Sequence, residues 1–398
     1  MMREHFDRTQ QKRNNAVRII MAVLFALFVF LYIILFQNDL IAVMQETWSQ
    51  GATHNNPIIT AVIVTTLLLL LQTGLRNLFG IRGRWEAYSY LPSFMLLSLF
   101  TDVDTRTFHY HAQGKWILIL LLAFVLAAVV PLMGRLLRQD HKTSFANLLW
   151  SNLAVYAISA VLCMTFTNHN APFHMELAAY RYADKGCADR VARIGRRSHE
   201  TTLSLTALRN VALCREGRAG DELFTLPQPW GVEGLMAGRY TRYGTRYGAE
   251  VWNRFVGARP YGGEEVLDFC TRLYRNDDNS FYRNLYMAAL LLDCRITEFS
   301  REFPPHVMGD TLAPRHYREA WILTRHLFPD AVIDYQDPEL EPLLNAFFAL
   351  TLNPDVTPVV VANRCRLTFG NTYWNYYYGN STLSLPKGEG TNAAISPL

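Results

Sequence analysis

The sequence predicts an all-α protein in two parts: an N-terminal bundle of about five transmembrane helices, then a C-terminal α-solenoid of helix hairpins. Three observations carry this expectation. Five long apolar runs lie within the first 166 residues of the 398-residue chain. Beyond them, apolar stretches of helical period alternate with short breaks carrying Gly, Pro, Asn or Asp, and alternating strand patterns are scarce throughout. The expected parts are a transmembrane domain over 1–166, a helical-repeat domain over 167–384 and a Gly-rich polar tail over 385–398, too polar to pack and expected to be disordered.

The runs occupy 19–36, 58–75, 87–101, 116–133 and 146–166. The first is 18 residues without a charge, and at about 1.5 Å of rise per residue it nearly crosses a hydrocarbon core of about 30 Å. A basic segment precedes it, as in a secretory signal, but the run exceeds the usual core of about 7–15 residues. Gln37-Asn38-Asp39-Leu40 also offers no small-x-small cleavage site, so an uncleaved anchor is expected. The run 87–101 is the shortest and holds Pro92, a pattern that also suits a kinked or re-entrant segment. Trp85, Trp116 and Trp150 stand near run ends, where amphipathic rings favour the headgroup layer.

Charge gives the runs a direction. Taken in alternation, one set of loops carries eleven Lys/Arg (Arg3, Arg8, Lys12, Arg13, Arg18; Arg76, Arg82, Arg84; Arg135, Arg138, Lys142) and the other two (Arg106, Lys115). The basic side faces the cytoplasm, and five crossings then put the C-terminal domain in the periplasm of a bacterial inner-membrane protein. The net charge of +4 belongs to the membrane part; the remainder carries no positive excess, which argues against a nucleic-acid partner. The runs contain no Asp, Glu, Lys or Arg apart from Glu86 at an edge, a composition unlike that of transporters and proton relays.

In the second half, Val266, Leu267, Cys270, Leu273 and Tyr274 mark one helical face within 264–274, and 279–294 is apolar enough for a buried helix. Further helices are expected over 174–183, 188–197, 203–216, 249–256, 314–327, 338–352 and 358–367. Many short helices with short turns suggest hairpins that bury their faces against their neighbours. Ala207–Leu213 followed by Gly217 and Gly220-Asp221 is tetratricopeptide-like in style, but no self-match appears at a period of about 34 residues, so the repeat is expected to be degenerate.

Asn210-Val211-Ala212-Leu213 with Gly217, Gly220-Asp221 and Phe224, then Pro314-Arg315-His316-Tyr317-Arg318-Glu319-Ala320, then Thr372-Tyr373-Trp374 resemble signature stretches of a family of bacterial multi-pass membrane proteins of unknown function. That family joins a membrane bundle to a tetratricopeptide-like tail. The resemblance implies the two-part architecture and brings no activity or catalytic residue with it.

Four constellations are candidates for chemistry. Asp102, Asp104, His109 and His111, with Arg106, lie in the loop after the third run; in an extended chain the acids share one face and the imidazoles another, a donor set suited to a divalent metal or to acid/base work on a lipid-linked sugar. Arg239, Arg242 and Arg246 fall at i, i+3, i+7 with Tyr240, Tyr243 and Tyr247 beside them, a helical stripe suited to an acidic peptide, phosphate or glycan. His316, Tyr317 and Glu319 are expected to tie helices together by hydrogen bonds. The aromatic run 373–378 is either a sugar or peptide platform, the cap of the solenoid, or a rest on the membrane surface. Cys187 with Cys214, or Cys270 with Cys294, are spaced for a hairpin bridge; without a CxxC, no zinc or thioredoxin-type chemistry is expected.

The expected function is a membrane-anchored periplasmic scaffold that binds a protein or cell-envelope component through Arg239, Arg242, Tyr243, Arg246 and Tyr247, with the lipid bilayer as its other partner and no cofactor. The alternative is an integral-membrane enzyme acting on a lipid-linked or glycan substrate through Asp102 and Asp104; catalysis is the lesser expectation.

Overall fold

Apolar side chains all round a helix put it in lipid or in a core, and the first helix meets that description from residue 19 onward. In α1 (Met2–Tyr32), Val17, Met21, Phe25 and Val29 are fully buried, while Ile19, Val23, Leu27 and Leu31 are exposed on the other side. A single π-helical turn, Ile33–Gln37, joins α1 to α2 (Asn38–Trp48), so the rod continues well past the predicted end at residue 36. The computed structural model describes residues 2–381 except 50–51, 54, 103–114, 137–143, 169, 237–245, 278, 309–312, 332 and 354–355, with backbone alone at 2–8, 47, 115–117, 134–136, 246–247 and 307–308. Every regular element among the described residues is a helix, and contacts divide the chain into two compact units, Met1–Leu177 with Arg242–Tyr247, and the remainder.

Among the described residues, three helices of the first unit are long and apolar enough to cross a membrane: Thr9–Glu46, which takes in most of α1 and α2; α3 (Pro57–Leu78); and α6 (Phe145–Thr165). Asn56 starts α3 by accepting from the N–H groups of Ile58 and Ile59, with Pro57 in the first turn, where its missing N–H costs nothing. α5 (Lys115–Leu136) is 22 residues long and apolar over Leu118–Met133. The third predicted run differs most from expectation. It is divided between a 3-10 helix, Gly83–Tyr90, and α4 (Leu91–Thr101), because Pro92 is accommodated in the first turn of a new helix and kinks nothing. With only 11 residues, α4 is too short to cross alone.

Buried polar side chains of this unit are tied down at two levels. At one level Asn152 Nδ2 donates to Gly83 O (2.9 Å) and its Oδ1 accepts from Ala87 N (2.8 Å), while Arg76 pairs with Glu86 at 2.6 Å. Gly83 has φ +68°, and a Cβ there would stand 3.3 Å from Asn14 Oδ1. At the other level Tyr32 shares a hydrogen bond with Thr101 (3.2 Å), Gln37 donates to Tyr32 (3.1 Å) and Asn168 N donates to Thr101 O (3.4 Å). Between them, Ser93 and Ser98 donate to Leu68 O and Cys163 O, each at 3.0 Å, around a core of Phe25, Phe28, Tyr90, Phe94 and Tyr156 rings.

The nine helices with predicted bounds in the second half lie within four residues of those bounds, whereas the helices Ile296–Glu302 and Tyr373–Asn380 had no predicted counterpart. After α7 (Ala171–Asp184) come α8 (Ala188–Arg193), α9 (Leu203–Arg215), α10 (Ala219–Glu222), α11 (Arg246–Val256), α12 (Val266–Asn276), α13 (Ser280–Leu292), α14 (Ile296–Glu302), α15 (Arg315–Leu327), α16 (Leu340–Thr351), α17 (Pro358–Phe369) and α18 (Tyr373–Asn380). Helices consecutive in the chain pack together as α8–α9, α12–α13, α14–α15 and α16–α17. The expected glycine turn closes α9: Gly217 has φ +68°, and Arg218 N reaches back to Leu213 O at 2.8 Å. All six cysteines are free, so neither predicted bridge is present.

Candidate binding cleft

The three signature stretches, far apart in sequence, meet in the second unit. On α9, the side-chain amide of Asn210 pairs reciprocally with that of Gln228 (2.9 and 3.0 Å) and donates to Gly234 O (2.9 Å), which pins the segment 226–235 against the helix. Gly220 of α10 lies so close to α15 that a Cβ would stand 2.4 Å from Pro314 Cβ. Next to it, Asp221 accepts from the Arg315 N–H at the start of α15 (2.8 Å). Glu319, fully buried on α15, receives Arg315 Nε (2.8 Å), His316 Nδ1 (2.9 Å) and the Tyr373 N–H that opens α18 (2.7 Å). The Phe224 ring then packs on His316, Tyr373 and Tyr376.

This cluster fixes one wall of a cleft of about 620 Å³, within the range typical of ligand sites. Trp230 and Gly231 line it from the segment held by Asn210, Asp293, Cys294 and Arg295 from the turn between α13 and α14, and Tyr376, Tyr377 and Asn380 from α18. Tyr376 and Tyr373 attach α18 to the end of α13, donating to Leu292 O (2.6 Å) and Leu291 O (3.2 Å). Asp293 and Arg295 pair at 2.7 Å, so the cleft presents both signs with little net charge.

The electrostatics favour recognition over covalent chemistry. Burial, reinforced by Asp293, pushes the Cys294 thiol up to about 12, so at neutral pH it is a thiol and a poor nucleophile. Burial also pushes Tyr377 up to about 12 and Tyr376 still higher, which leaves both phenols as neutral donors and acceptors. The Tyr377 hydroxyl is buried and has no hydrogen-bond partner. Aromatic faces and an ion pair together suit a polar ligand that also offers a ring or an apolar edge.

The other sequence candidates fall elsewhere. Asp102 ends α4 and is half-buried; Asp104, Arg106, His109 and His111 lie outside the described residues. Arg239, Tyr240, Arg242 and Tyr243 also lie outside them, while Arg246 and Tyr247 open α11, where only the backbone is described. Among the described residues no group of three His, Cys, Asp or Glu is placed to hold a metal. His316, Tyr317 and Glu319 are all buried, but of the expected interhelical hydrogen bonds the one formed is that of Glu319 with Tyr373 N, while His316 bonds Glu319 within α15. Of the aromatic run, Tyr373 and Trp374 are core residues, and Tyr376 and the largely buried Tyr377 line the cleft. Sequence reasoning missed Trp230, Asp293 and Arg295, whose only local signal was their position at breaks between helices.

A family model described as a family of unknown function, DUF6057, matches residues 19–253, more than half of the chain. No curated protein and no solved structure matches it.

Proposed function

The chain belongs to the DUF6057 family of unknown function, and we propose that it is a membrane-anchored helical scaffold whose C-terminal unit binds a protein or cell-envelope component at the Trp230–Tyr376 cleft. The cleft carries this reading: three separate segments are held in place by buried hydrogen bonds and together present aromatic rings beside the Asp293–Arg295 pair. Preformed concavities of this size are where proteins take ligands. Stacked hairpins such as α12–α13 and α14–α15 suit a degenerate tetratricopeptide-like solenoid, an architecture often used for binding.

The bundle acts as an anchor with five crossings over 1–166. In support, Gly83–Tyr90 and α4 together extend about 32 Å at about 2.0 and 1.5 Å per residue. Their two ends adjoin opposite levels of the bundle, Gly83 beside Asn14 and Asn152, and Thr101 beside Tyr32 and Asn168. An odd number of crossings, with the basic loops in the cytoplasm, assigns the tail to the periplasm of a bacterial cell. The Arg76–Glu86 pair at one end of the bundle is already neutralised and needs no transported ion to explain it.

The test is cross-linking in intact membranes followed by purification of the full chain. Trp230→Ala and Arg295→Ala are expected to lower recovery of the cross-linked component at least about tenfold, the loss of one or two good contacts, with thermal unfolding unchanged. Recovery that is identical in the wild type and both variants would overturn the assignment.

A further inference from the structure

The last helical hairpin presents a second surface, distinct from the cleft. Each of its helices is buried along only part of its circumference. In α17 the buried residues are Val361, Cys365 and Phe369, one narrow i, i+4, i+8 strip. Outside that strip Val359 is 70% exposed and Leu367 82% exposed. In α16 Leu340, Leu344, Phe347 and Phe348 are buried, while Leu343 and, just past the helix end, Leu352 are 43% and 52% exposed. Isolated exposed apolar residues are ordinary; a set gathered on one hairpin marks a surface that meets something apolar.

The charge pattern indicates what that is. Residues 342–381 carry three charges, Asp355 in the connection between the helices and Arg364 and Arg366 on α17, and so are net basic. Val360, Arg364 and Leu367 fall at i, i+4, i+7, so one stripe of α17 combines aliphatic side chains with a guanidinium. Acidic residues do occur at the approach to α16, but they are engaged: Glu341 pairs with Arg325 at 2.7 Å and Glu339 lies 3.7 Å from Arg318. Leu340–Thr351 is also among the apolar helices of the chain, yet it is far too short to cross a bilayer. A short apolar helix beside one whose outer side carries aliphatic residues and two arginines is suited to the interfacial layer, where aliphatic groups enter the acyl boundary and arginines meet lipid phosphates.

We propose that the α16–α17 hairpin seats on the membrane surface through Leu343, Leu352, Val359, Val360 and Leu367, with Arg364 and Arg366 on anionic headgroups. The same chain carries helices long and apolar enough to cross that membrane, so the hairpin meets the bilayer at a high effective concentration and weak contacts suffice. A second copy of the chain would answer the apolar residues, but it would set four arginines, Arg364 and Arg366 of each copy, against only two carboxylates, Asp355 of each.

The full chain, with the half-buried Cys187 and Cys294 replaced by Ser, is reconstituted into phosphatidylcholine vesicles with and without phosphatidylglycerol. A spin label is placed by Leu367→Cys, and in a control by Thr225→Cys on an exposed turn. The expected result is several-fold greater collision with oxygen than with a water-soluble nickel chelate at position 367 only. That preference strengthens with phosphatidylglycerol and falls when Arg364→Glu and Arg366→Glu are introduced. A position-367 label as chelate-accessible as the control in both vesicles would overturn the proposal, and so would dipolar broadening between labels of two copies. Val359→Cys reports on the same surface if Leu367→Cys impairs folding.

Discussion

Glu319 shows how a single residue can hold distant segments together. Its carboxylate is fully buried and takes one donor from its own helix turn, one from His316 and one from the backbone of α18. Charge-assisted bonds of this kind offset the cost of removing the charge from water only while every donor is present. Glu319→Gln keeps the shape but turns an amide N–H₂ toward donors. It is expected to cost about 3 kcal/mol, the scale for removing one member of a buried charged set, seen as a lower midpoint in thermal unfolding of the purified protein. Arg209 is the contrasting case. Buried on α9, it has Thr201 Oγ1 as its close acceptor (2.9 Å) and its Nε is unpartnered; burial alone pulls its pKa down to about 10.

At the scale of elements, the helix ends explain what was legible and what was not. The end of α9 was visible in the sequence because Gly217 takes the left-handed position that closes the helix with a 2.8 Å bond from Arg218 N to Leu213 O. The end of α13 uses the same device: Arg295 N bonds Leu290 O at 2.9 Å, but the left-handed residue is Cys294, with φ +56°. A non-glycine residue there carries a steric cost of about 1 kcal/mol, and a cysteine in the sequence gives no hint of it. The strained turn is also a wall of the cleft, where such strain tends to gather. Cys294→Gly is expected to raise stability by about 1 kcal/mol in chemical unfolding, whereas Cys294→Ala, which keeps the strain, is not. Equal behaviour of the two variants would mean that the thiol matters and the backbone does not. The cleft itself was illegible for a related reason: Trp230 and Asp293 come from two breaks between helices and Tyr376 from α18, and the pairing of Asn210 with Gln228 and of Tyr376 with Leu292 O brings these segments together.

At the scale of the whole molecule, hydrophobic period made the helices legible from residue 171 onward, and run length made the long helices of the first unit legible. The third run was not, because its apolar content is shared between a 3-10 helix and an 11-residue α-helix. That run decides the proposed topology by parity. Five crossings put the two termini on opposite sides, and four put them on the same side; the loop charges favour the first only if 83–101 crosses. A periplasm-dependent phosphatase fused after residue 398 is therefore expected to be active, and a cytoplasm-dependent fluorescent reporter at the same place to be dark. Deleting 83–101 removes one crossing while leaving the basic residues 3–18 that orient the first helix. The two readouts should then exchange, whereas a re-entrant segment would leave them unchanged.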